Sequence, residues 1–120
     1  MTHKEIATSF LQSAGMGEVK AAFEQFVADN FIHHNQYFKG DRESLREAMQ
    51  EAHDTSPNKS ITIKKTYEDG DTVITHSHVV KEDMEIAVVH IFRFDNNKIV
   101  ELWDLGQIID KDSPNEHGLF

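Results

Sequence analysis

The stretch AVVHIFRFDNNKIVELWDLGQ, residues Ala87–Gln107, decides how the rest of the chain must fold. Val88, His90, Phe92 and Phe94 alternate with Val89, Ile91 and Arg93, which is the period of a β-strand. Asp95-Asn96-Asn97-Lys98 follows as a turn, because asparagine tolerates the left-handed backbone that hairpin turns need. Ile99 to Ile108 reads as the return strand. Register then sets which side chains share a face, since a slip of one residue inverts them all. A three-residue loop, Asn96 to Lys98, pairs Asp95 with Ile99. Phe94 then meets Val100, Phe92 meets Leu102, Arg93 meets Glu101, Ile91 meets Trp103 and His90 meets Asp104. A two-residue loop would instead set Phe92 against Glu101 and His90 against Trp103. The first register gives an apolar face and a paired opposite charge on the other, which cross-strand energetics favour. It also sets an imidazole beside a carboxylate at the end of an apolar wall.

Working outward, 120 residues are enough for one core and one domain, residues 1–120. The absence of cysteine removes disulfides, thiol nucleophiles and cysteine zinc sites. No apolar run approaches the length of a membrane span and no signal-peptide pattern opens the chain, so the expectation is a cytoplasmic protein without a membrane partner. A formal charge of −9 repels phosphate backbones and argues against nucleic acid. Eight histidines are the compositional oddity.

Before the hairpin, Ile6, Phe10 and Leu11 mark a short amphipathic helix that ends near Ala14–Gly17. Val19, Ala22, Phe23, Phe26 and Val27 mark a second helix, to about Asp29. Phe31 to Asn35 reads as a brief strand or loop floor. Asp41 is a plausible N-cap for a third helix, whose buried face would be Leu45, Ala48, Met49 and Ala52. Beyond Pro57 the period changes. Ile61, Ile63 and Tyr67 alternate with polar residues, Glu68–Asp71 turns the chain, Thr72–Val80 is the next strand and Lys81–Met84 the next turn. Helices followed by an antiparallel meander define α+β, with the helices on one face of a curved sheet. The tail, Asp110–Phe120, is polar and irregular.

Four groups of residues carry candidate chemistry. His90 with Asp104 comes first: burial pushes an imidazole down and a carboxyl up, mutual pairing does the reverse, and a coupled pair can hold one proton near neutral pH. A structural hydrogen bond is the bland alternative. His76 and His78 share a strand face. Depending on the parity of the Val80 turn they join His90 on the pocket side, or Thr75 and Ser77 do. With His90 they form an alternative metal set, as two histidines at this spacing can be ligands. Gly70, His76, His78 and Glu82 also follow the first cupin metal motif, but the second motif is missing. Of His33 and His34, at most one points inward if the segment is extended, and Asn35 follows as a candidate or a turn former. Trp103 falls on the other face, where a large apolar surface suggests dimerisation.

The order of elements, with FIHHNQYFKGD, EDGDTVITHSHVV, VVHIFRFDNNKIVELWDLGQ and SPNEHGLF, resembles the SnoaL-like polyketide cyclase proteins of the nuclear transport factor two-like superfamily. The resemblance covers nearly the whole chain, and Phe92 to Asp104 is its most specific part. It implies a cone-shaped α+β barrel, with three N-terminal helices on a strongly curved, mostly antiparallel sheet that encloses a pocket. It implies a homodimer through the outer sheet face, here Trp103 and Ile91. It further implies acid–base chemistry on a carbonyl compound without metal or cofactor, Asp104 as acid–base and His90 nearby. His34, Asn35 and Gln107 match positions that recur at the family's pocket. With His76, His78 and Phe92 these are the expected substrate-binding residues. The expected function is aldol-type condensation, isomerisation or a related reaction on a small molecule. The alternatives are a histidine metal site and a non-catalytic binding domain. The superfamily reuses one cone for many activities, so the fold does not choose among them.

Overall fold

In the computed structural model, which describes residues Met1–Phe120, three helices precede a five-stranded sheet except for one strand that falls between them. The elements are α1 (His3–Gly15), α2 (Val19–Phe26), β1 (Val27–His33), α3 (Arg42–Thr55), β2 (Asn58–Asp69), β3 (Thr72–Lys81), β4 (Glu85–Asp95) and β5 (Lys98–Ile108). Thr2 begins α1 with a capping box: its hydroxyl accepts from the Glu5 amide while the Glu5 carboxylate accepts from the Thr2 amide. Asp41 caps α3 as expected, accepting from the Ser44 amide.

The sheet order is β1-β5-β4-β3-β2, antiparallel throughout except for the parallel β1–β5 pair. The helices pack on its concave face, around Phe10, Phe23, Phe31, Phe92, Phe94 and Ile99. This is the expected α+β architecture, built on a curved open sheet.

The hairpin keeps the expected pairing through its body: Phe92–Leu102, Arg93–Glu101, Ile91–Trp103 and His90–Asp104. The turn differs. Asn96 and Asn97 both have positive φ, 50° and 62°, the signature of a two-residue type I′ turn, and Asp95 pairs with Lys98 and Phe94 with Ile99. The register then shifts between Arg93 and Phe94, with Val100 as the extra residue of a β-bulge. A shorter turn plus a bulge therefore yields the pairing of a longer turn without one. Ile99 and Val100 are consequently both buried.

Three other boundaries move. α2 stops at Phe26 rather than near Asp29, because Val27 already belongs to a strand that pairs with β5 and buries Val27, Phe31 and His33. That strand is longer than the brief segment expected. On α3 only Leu45 is buried; Ala48 and Met49 are half-buried and Ala52 is exposed, so the helix does not seal its apolar face against the sheet.

Candidate active site

Strand pairing places one transverse row of polar side chains on the concave face. Thr66 pairs with Thr75, Thr75 with His90, and His90 with Asp104. Beyond Asp104 the row continues into the loop after β1, where the Asn35 amide Nδ2 donates to Asp104 Oδ2 at 3.0 Å. β1 ends at His33, and the His34 amide closes the ladder on the Leu102 carbonyl at 3.0 Å, so nothing pairs with β5 on that side past Leu102. A cavity of about 420 Å³ opens in that gap, lined by Asp104, Asn35, Tyr37, Leu105 and Gly106 among others.

Asn35 is held at both ends of its amide. Its Oδ1 accepts from the Tyr37 amide at 2.9 Å while its Nδ2 holds the carboxylate. It orients Asp104 rather than offering a free amide, and no hydrogen bond engages Asp104 Oδ1. His90 and Asp104 are cross-strand neighbours without a hydrogen bond between them, and His90 Nδ1 is buried with no partner. Burial pushes His90 down to about 4, and the charge of Asp104 only partly opposes it. Near neutral pH the imidazole is thus neutral. The expectation that the pair shares a proton there is corrected: desolvation outweighs pairing.

The remaining sequence candidates separate by face. His76 pairs with Val89 and His78 with Ala87, which puts both on the convex side; Thr75 and Ser77 face inward instead. The connection Lys81–Met84 joins Val80 to Glu85, and that parity decides the matter. On the outer face His76 and His78 lie 5.1 and 4.9 Å from the Phe120 ring, and His78 Nε2 bonds Glu85 at 2.7 Å. The metal set His76, His78 and His90 is not assembled, because the sheet separates its members, and no group of three or more metal-ligating side chains occurs elsewhere. Gln107 pairs with Ala87 and is likewise convex. Phe92 is fully buried, edge-on to Phe10 at 6.2 Å, and belongs to the core rather than to a binding surface.

Of the adjacent histidines, His33 is the one turned inward. Its Nε2 donates to the Lys39 carbonyl at 2.7 Å and its Nδ1 accepts from the Asn35 amide at 3.1 Å, so it closes the loop rather than facing a ligand. His34 points outward, stacked on Trp103 at 4.6 Å and bonded to Glu101 at 2.7 Å. Glu101 also accepts from Arg93 at 2.8 Å, and these two partners, His34 first, hold its carboxyl below the usual range. His34 nevertheless borders the cavity beside Asp104.

Sequence reasoning left Thr75 and Ser77 as one of two options. They are buried, at 0% and 1% exposure, and both hydroxyls lack a partner. The only sequence signal for them was the length of the β3–β4 turn.

Three helices on a curved, mostly antiparallel sheet are the fold of the nuclear transport factor two-like proteins. The chain belongs to the SnoaL-like domain family, whose pattern matches residues 9–102. Solved structures agree on the fold. A nuclear transport factor two-like protein of unknown function from Cytophaga hutchinsonii is 15% identical, with a TM-score of 0.73 over 89% of this chain and 91% of that one. A provisionally named polyketide cyclase from Acidithiobacillus ferrooxidans is 18% identical, with a TM-score of 0.75 over 88% and 87%. A provisionally named SnoaL-like polyketide cyclase from Mesorhizobium loti is 21% identical, with a TM-score of 0.67 over 88% and 99%. No curated protein matches the sequence. No helix is long and apolar enough to cross a membrane.

Proposed function

We propose that this chain is a small acid–base enzyme for a carbonyl compound, with Asp104 as the base and His90 as the hydrogen-bond donor to the substrate oxygen. The observation that carries this reading is the division of labour at Asp104: Asn35 fixes Oδ2 at 3.0 Å and leaves Oδ1 unengaged beside a neutral imidazole. Asp104 Oδ1 takes a proton from the carbon next to the carbonyl, the C–H electron pair becomes the new C=C bond as the C=O π pair moves to oxygen, and the enolate forms against the His90 N–H. A neutral imidazole suits that task, since it donates without having to give up its proton. Where the enolate is extended by a neighbouring double bond or hydroxyl, Asp104 returns the proton at another carbon, an isomerisation; where it attacks a second carbonyl, the new C–C bond leaves an alkoxide that takes the proton from Asp104, an aldol-type addition. No step calls on a metal or cofactor.

The test is exchange of deuterium from heavy water into the α-carbons of a panel of ketones and β-dicarbonyls, followed by NMR. The protein accelerates exchange for a subset of the panel, and Asp104→Asn lowers that rate by about 10²–10⁴-fold with the fold unchanged. Equal exchange in the two proteins removes Asp104 from the role.

The same reading extends to a homodimer through the convex face, where Ile91 pairs with Trp103 and Leu105 is 60% exposed. Sedimentation equilibrium tests this, and a monomer at every concentration contradicts it.

A further inference from the structure

The acid–base reading leaves two groups on the concave wall unused. Thr75 and Ser77 follow one another on the same face of β3, are fully buried, and have hydroxyls with no hydrogen-bond partner. Buried polar groups are almost always paired, and two orphans side by side are a cost that a fold retains where function needs them. Thr75 stands directly opposite His90, whose Nδ1 is a third buried atom without a partner. Thr75 and His90 lie in the row that ends at Asp104, and Ser77 stands one row over on the same face, opposite Val88.

The way in is built from half-buried groups. Val79, Ile86 and Val88 continue the same face toward the Lys81 end and are each only half-buried, as is His90 itself. α3 reaches that end, where Met49, Ala52 and His53 border a crevice of about 90 Å³ with Asn58 and Lys81. α3 buries only Leu45 and sets the flexible, half-buried Met49 against the edge of the core at this end.

The charge on the patch limits what it can take. Asp104 is the one charged group in the row, its sign is negative, and His90 is neutral. The nearest cation on the same face is Lys81, about 13 Å beyond Ser77 at the usual rise of a strand, and its ammonium donates to the Ser56 carbonyl. An anionic group on the patch would be buried beside a carboxylate without a counter-ion.

We propose that Thr75 and Ser77 form a two-hydroxyl subsite that holds an uncharged ligand by two oxygens spaced as the hydroxyls are, about 5–7 Å apart, with the Thr75-side oxygen shared with His90. The ligand class is a neutral dicarbonyl or hydroxycarbonyl compound. The proposal rests on the acid–base reading of the same wall and adds to it the residues that select the substrate.

Two measurements test it. Thr75→Val keeps the side-chain shape and Ser77→Ala nearly so, and each removes an orphan. In the ligand-free protein both substitutions raise the melting temperature, by about 2–8 °C. A group with a structural hydrogen bond would lower it, and a fall in both variants overturns the subsite. The second measurement titrates ¹⁵N-labelled protein with 2,6-heptanedione and with 5-oxohexanoate, the same skeleton with a carboxylate at one end. The diketone shifts the amide signals of Thr75, Ser77 and His90, the oxo-acid leaves them in place, and the double variant loses the response by at least tenfold in affinity. Shifts at His90 and Asp104 without Thr75 and Ser77 overturn the subsite and leave the acid–base reading standing. Equal response to both probes overturns the claim of an uncharged ligand, and no response at any of the four residues tells against both.

Discussion

Phe92→Ala lowers the unfolding free energy by about 3–5 kcal/mol, the largest effect on stability of any single change considered. Phe92 has no exposed surface, opposes Leu102 across the hairpin and Val73 on β3, and meets Phe10 of α1 edge-on. It is the side chain at which the sheet, the first helix and the hairpin register all meet. Alanine leaves a cavity that these neighbours cannot fill without moving β4. Domains of this size have a total stability of about 5–15 kcal/mol, so the change removes a large share of it. Urea denaturation followed by circular dichroism measures the loss. A cost under about 1 kcal/mol would mean that Phe92 faces a solvent-filled pocket after all, as the sequence suggested.

The second large effect is on pH dependence. The folded-state value of His90 is about 4, below its ordinary value of 6.5. The unfolded chain therefore takes up a proton as pH falls through 6.5 while the folded protein does not. Stability from this group is complete above about pH 6.5 and is lost progressively as pH falls toward 4, with no further loss below. His90 is only half-buried, which discounts the effect to about 1–3 kcal/mol. The carboxyls held below their usual range, those of Glu101 and the cap residue Asp41 among them, add their own loss only at still lower pH. Denaturation at pH 7 and pH 5 shows the difference, and His90→Gln removes most of it. An unchanged slope in that variant would place the titration elsewhere.

The hairpin was legible because its two faces differ so strongly in chemistry. Placing Phe92 against Leu102 and Arg93 against Glu101 allows only one register through the body, whatever the turn. Two successive asparagines did carry the signal of a type I′ turn, but the compensating bulge at Val100 has no comparable signature in an apolar run of Ile99 and Val100. His90 and Asp104 were legible for the same reason as the register. Their proton sharing was not, since the balance between desolvation and attraction depends on how deep the imidazole lies. The β3 histidines were not legible, because THSHVV carries polar groups at alternate and adjacent positions and leaves either face acceptable. One turn of four residues settled it and moved the site chemistry from imidazoles to hydroxyls. The end of α2 was hidden because Val27 continues the helical spacing and also begins the alternation of β1. Asn35 was legible as a site residue, but its hold on Asp104 and on the Tyr37 amide depends on a loop path that the sequence does not display.

The most direct test of the central claim is the titration of His90 by NMR in the wild type and in Asp104→Asn. A neutral, half-buried imidazole with its Nδ1 shut from solvent beside a charged carboxylate titrates near pH 4 in the wild type, and lower still once the carboxylate is neutral, because its charge was the one influence raising the value. A midpoint near the ordinary value in both proteins would show that His90 is neither buried nor coupled to Asp104, and would contradict the proposed site.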